Sequence, residues 1–130
     1  MTKKMLGVVA GLIVWLAVVS VAGIFLRVVW PAYGAVADTM AFTLPMLLTR
    51  LAIGAVATLA AGLTTAALAS GSTAARMITG AILVAAFIPV HLNLWDTFPL
   101  WYHLTFLLSL IPLTYLGGVA ARPLRSAVRH

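Results

Sequence analysis

The chain has 130 residues, of which 64% are hydrophobic and only 8% charged, with a mean hydropathy of +1.16. A soluble domain carries about 25% charged residues, so a water-exposed globule is excluded, and the length suits one compact bundle. Without cysteine there are no disulfides, thiolate metal sites or cysteine nucleophiles, and the net charge of +6 has to be read from its placement.

Four apolar runs, residues 5–29, 45–68, 77–94 and 100–119, fill most of the chain. A run of roughly 18 or more apolar residues at 1.5 Å rise crosses a hydrocarbon core of about 30 Å. The expected fold class is therefore all-α, a single integral membrane bundle of four transmembrane helices. Basic residues flank the runs: Lys3 and Lys4 before the first, Arg76 between the second and third, and Arg122, Arg125 and Arg129 after the fourth. With four spans these sites share one side, so the positive-inside trend predicts cytoplasmic N- and C-termini. It also favours a bacterial-type inner membrane. The opposite loops carry the only acids, Asp38 and Asp96. This is a topology pattern, and nucleic acid is not an expected partner.

The first run is apolar on every face. Ser20-Val21-Ala22 before Gly23 offers a small-x-small cleavage site after Lys3-Lys4, but the run continues to Val29, longer than a signal h-region of about 7–15 residues. Gly7 and Gly11 form a GxxxG step, which serves close packing within the bundle or self-association. Trp30-Pro31 reads as a helix stop. The following segment, 30–43, is too apolar for a free loop and suits the outer interface.

Thr43 and Pro45 open the second run as cap and first-turn proline. Gly54, Thr58, Gly62 and Ala66, spaced by four, make a ridge on one face and mark this as the central packing helix. The third run is short and holds Pro89; the fourth holds Pro112. Each proline is expected to kink or locally unwind its helix, as a packing feature or as a hinge with a freed carbonyl. Thr43-Leu44-Pro45 and Thr97-Phe98-Pro99 hint at a parallel repeat, which common capping chemistry explains equally well.

Polar chemistry concentrates around the hairpin 89–103. His91 and His103 stand six residues either side of Thr97, at similar depth, with helix rotation open. Asn93, Asp96 and an aromatic belt of Trp95, Trp101 and Tyr102 surround them. They are either hydrogen-bonded interfacial histidines, a proton or polar-substrate site, or two ligands of a metal or haem. No HxxxH or HxxE spacing supports the last, and no cofactor is expected. Arg27 and Arg50 lie within spans, towards the outer side. An arginine at mid-span costs about 2.5–3.5 kcal/mol, less near the interface. Either both snorkel and pair with Asp38 or Asp96, or they form a basic pocket for phosphate or carboxylate, which a planar guanidinium binds bidentately.

Other chemistries lack their residues. There is no glutamate, no carboxylate pair, no nucleophile elbow and no phosphate-binding glycine loop. The leading expectation is a small membrane protein, not an enzyme, that binds and possibly transports a lipid or small anionic or polar ligand in an outward-facing pocket. That pocket would be lined by Arg27, Arg50, His91, Trp95, Asp96, Tyr102 and His103. The alternative is an accessory subunit of a larger membrane complex, and the third a haem- or metal-bearing subunit or enzyme. Membrane lipid and either a homo-oligomer or a larger complex are the expected partners.

The topology can be tested in this cysteine-free chain. Single cysteines at positions 38 and 96 are expected to react with an impermeant thiol reagent in intact cells, and those at 3 and 125 to be protected. The reverse pattern would invert the orientation.

Overall fold

The computed structural model describes residues 2–121; the basic tail with Arg122, Arg125 and Arg129 lies outside the described residues. Five helices follow in order: α1 (Lys3–Val29), α2 (Pro31–Val36), α3 (Leu44–Leu68), α4 (Thr73–Asn93) and α5 (Leu100–Ala120). All but α2 are long and apolar enough to cross a membrane. The local signals are visible at most ends. Thr2 accepts the Met5 N–H at 3.2 Å and Ser72 accepts the Ala75 N–H at 3.1 Å, capping α1 and α4. Ser70 and Gly71, with φ of 53° and 75°, turn the chain between α3 and α4 in the left-handed region.

Two expectations about the spans need correction. The third span begins at Thr73, not near residue 77, so Arg76 lies in the first turn of α4 and not in a free loop. It is buried, donating to the Tyr115 carbonyl at 2.8 Å and the Thr73 hydroxyl at 3.0 Å, with its guanidinium 4.6 Å over the Tyr115 ring. Gly118 makes room for it, since a Cβ there would collide with the arginine side chain. Second, α4 and α5 stay helical through Pro89 and Pro112, so of the two expected outcomes, a kink or local unwinding, the unwinding does not occur. Both prolines, and Ala85 and Leu108 four residues earlier, are exposed on the outer surface. That arrangement gives no carbonyl-lined interior site.

The helices form a ring in the order α1, α3, α5, α4, and α3 also touches α4 across it. Small residues let α3 serve both neighbours. A Cβ at Gly11 would strike Thr65, and one at Gly7 would lie 2.7 Å from the Thr65 carbonyl, so the GxxxG step packs α1 on α3. On the other side Gly62 sits against the Thr114 backbone and Gly117 against that of Leu59. Thr58 and Ala66 of the ridge are buried, while Gly54 faces the Phe106 ring. Trp15, Ala57, Ala61, Leu83 and Leu110 form the main core. Within it the Trp15 indole donates to the Thr58 hydroxyl at 3.0 Å, and that hydroxyl donates to the Gly54 carbonyl at 2.6 Å. Thr79 and Thr114 likewise bond the carbonyl four residues earlier, which satisfies their hydroxyls where no water is at hand. The two Thr-x-Pro segments cap differently: Thr43 is the N-cap of α3, whereas Pro99 itself occupies that position in α5.

Gly7 lies against Ala69, and Arg76 against Gly118, so the start of α1, the α3–α4 turn and the end of α5 share one end of the bundle. Trp30, α2 and the α4–α5 hairpin form the other.

The packing contrast between two glycines is a direct test. Gly62→Ala should destabilise by about 1–3 kcal/mol, because the added methyl falls on the Thr114 backbone. Gly23→Ala should melt at or above wild type, since a Cβ there has nothing within 4 Å and alanine is the better helix former. Thermal unfolding in detergent measures both.

Candidate functional site

At the hairpin end, the upper halves of α1, α3, α4 and α5 enclose a cavity of about 320 Å³. That is within the range of small-ligand sites. Its two ends differ in chemistry. Trp15, Phe87 and Phe106 close the deep end, with Trp15 and Phe87 centroids 4.8 Å apart and Phe87 and Phe106 5.2 Å apart. Arg50, Tyr33, Tyr102 and His91 line the other end.

Arg50 projects from the second turn of α3 and is only partly buried. Its Nη1 donates to the Tyr33 hydroxyl at 2.8 Å and its Nε to the Tyr102 hydroxyl at 3.3 Å. The guanidinium also lies 4.6 Å over the Phe42 ring, a favourable cation–π position. Both tyrosines are almost wholly buried. These partners orient the cation but none neutralises it. Of the chain's two acids, Asp38 pairs with Arg27 at 3.0 Å, and Asp96 is exposed; Arg27–Asp38 is the only ion pair among the described residues.

The two histidines do face each other. Their Nδ1 atoms are 2.6 Å apart, a hydrogen bond in which one donates and the other accepts. His91 lies on the cavity wall; His103 stands behind it, fully buried, with its Nε2 3.3 Å from the Trp95 carbonyl. The Trp95 indole stacks on His103 at 4.8 Å and 10°. Two nitrogens on one metal at about 2.0–2.1 Å each would be roughly 3.3 Å apart in tetrahedral geometry, and further apart as axial ligands. At 2.6 Å this pair is hydrogen-bonded, and no cluster of three metal-ligating side chains occurs among the described residues.

The expected constellation thus divides. Arg50, His91 and Tyr102 share the cavity. His103 and Trp95 form a supporting layer behind His91. Arg27 is tied to Asp38 at the exposed rim, and Asp96 approaches neither arginine. Sequence reasoning missed Tyr33 and Phe42. Pro31 marks the stop of the first span, and it is also the first residue of α2, the short helix that carries Tyr33 inward. A proline at N1, followed by an apolar segment too greasy for a loop, was the available signal. Gly34 permits the return, since a Cβ would lie 2.7 Å from the Arg27 carbonyl.

The tyrosine cradle predicts that Tyr33→Phe and Tyr102→Phe each destabilise the protein by about 1.5–3 kcal/mol, because each removes an acceptor from a charged donor. Tyr33→Phe should cost more, given the shorter bond. Melting temperatures of both variants in one detergent check this, and wild-type values for both would show that the hydroxyls do not hold Arg50.

Comparison with models of protein families, with curated proteins and with solved structures returns no match, so the bearing of this chain on function rests on its own geometry.

Proposed function

We propose that the protein binds an anionic amphiphile, a membrane lipid or a small anionic ligand with an apolar part, in the Arg50 cavity. In this reading the hairpin end faces outward and both termini are cytoplasmic in a bacterial-type inner membrane. The observation that carries it is Arg50 itself: a cation held by two tyrosine hydroxyls and an aromatic face, on the wall of a cavity, with no carboxylate partner among the described residues. An unpaired charge within a span is unfavourable, and an incoming phosphate or carboxylate would relieve that while using the fork of the guanidinium.

The shape of the cavity supports an amphiphile over a wholly polar ligand. Its charged end leads to an aromatic floor, so one molecule would place its headgroup at Arg50 and its apolar part towards Trp15. Leu16 and Val90, on α1 and α4, line the cavity and are also exposed outside the bundle. Gly23 of α1 borders it with open space around it. Exposed lining residues on α1 and α4, with open space at Gly23, support a gap between these helices through which the cavity meets the surface that the spans would present to lipid.

Anionic lipid added to delipidated protein should raise the melting temperature of wild type. Arg50→Lys should lose most of that rise, because the ammonium lacks the bidentate fork, and Arg50→Ala all of it. Gly23→Leu should fold normally but bind lipid less well, since its side chain enters the gap. Equal stabilisation of all four proteins would eliminate the pocket and favour an accessory role within a larger membrane complex.

A further inference from the structure

The histidine pair adds a second recognition element to this cavity. The Trp95 carbonyl can only accept, so the His103 Nε2 beside it is the N–H donor. In neutral His103 the Nδ1 is then bare and accepts from His91. His91 accordingly carries its proton on Nδ1, and its Nε2 is left as a lone-pair acceptor. Among the described residues no group bonds that nitrogen, and it is not among the fully enclosed polar atoms without a partner. His91 lines the cavity, and its Nε2 is the one ring nitrogen of the pair left for a ligand. Arg50 and His91 flank the same side chain, Tyr102: Arg50 bonds its hydroxyl, and the His91 ring lies 6.1 Å from its ring.

We propose that His91 is a specificity-determining residue, and that the cavity selects an anionic headgroup carrying a hydroxyl beside the anion: a polyol phosphate ester. Its phosphate oxygens meet Arg50 and its hydroxyl donates to His91 Nε2. The inference rests on the cavity reading above and sharpens it. A group that offers only acceptors satisfies Arg50 and leaves the His91 lone pair without a partner. A desolvated acceptor left unmatched is the kind of polar mismatch by which sites discriminate strongly. The aromatic stack of Trp95 on His103 and the bond to the Trp95 carbonyl fix the tautomer, so the acceptor is held in place before any ligand arrives.

The test compares two lipids of equal charge, phosphatidylglycerol and phosphatidylpropanol, which differ in headgroup hydroxyls. Each is titrated into delipidated protein in an amine-oxide detergent, which carries no competing hydroxyl, and thermal stabilisation is recorded. Wild type should bind phosphatidylglycerol about three- to tenfold more tightly, the range of one hydrogen bond. His91→Phe should lose that preference and still bind both lipids through Arg50. His91→Gln, which keeps an acceptor oxygen, should retain part of it. Glycerol phosphate and propyl phosphate in solution form a parallel arm; the same preference there supports the headgroup chemistry and shows that the acyl chains are dispensable. Equal affinity of wild type for the two lipids, with both lost in Arg50→Ala, overturns the hydroxyl recognition and leaves the anion cavity standing. Failure of wild type to bind either lipid removes both.

Discussion

The arrangement of the hairpin end depends on one guanidinium that has no acid to answer it. Two aspartates serve the whole chain; one is taken by Arg27 at the rim and the other is exposed. Arg50 is left to uncharged partners. Three separate elements converge to provide them: α2 brings Tyr33, the segment before α3 brings Phe42, and α5 brings Tyr102. The six-residue α2 folds back into an apolar cluster with Ala37, Met46 and Leu26, and this seats Tyr33 beside Arg50, where it also stacks with Phe42 at 5.1 Å. Hydroxyl and aromatic partners lower the cost of a cation in a span without cancelling its charge, which separates holding an arginine from neutralising it.

Arg76, at the opposite end, makes the comparison instructive. It also bonds neutral oxygens and lies over a tyrosine ring. Its surroundings, however, are closed: Gly118 is pressed against the side chain, and the guanidinium clips the start of α4 to the end of α5. Arg50 has similar partners but opens onto a cavity with an aromatic floor. The same chemistry thus serves as a clasp at one end and presents a charge to an empty space at the other. What distinguishes them is the open space on the Arg50 side, which Gly23 borders without a side chain to fill it.

Much of this was legible in the sequence because it follows from hydropathy and local spacing. The spans, the central place of α3 and the small-residue contacts come from run length and a period of four, and Gly62 against Thr114 is where that ridge matters most. Arg50, His91 and Tyr102 were recognisable as odd residues for their depth. Depth groups them in one pocket with four other candidates, but which of those four join them depends on helix rotation, which an almost uniformly apolar helix such as α1 does not encode in its pattern. Arg27 illustrates the point: depth leaves both a pair with an aspartate and a place in the pocket open, and rotation turns it to Asp38. Arg76 illustrates another. A basic residue after a Ser-Gly-Ser turn reads as a loop charge until the packing of Gly118 and Tyr115, some forty residues away, is known. Pro89 and Pro112 show that a proline on an exposed helix face can be accommodated without interrupting the helix.

The central claim is that the uncompensated charge of Arg50 is met by a molecule from outside the chain. Native mass spectrometry of gently purified wild type and Arg50→Ala tests it most directly. One anionic lipid or other anionic amphiphile should be retained per wild-type chain, and none on the variant. Wild-type protein that flies without any bound anion, or a variant that keeps the same adduct, would contradict it.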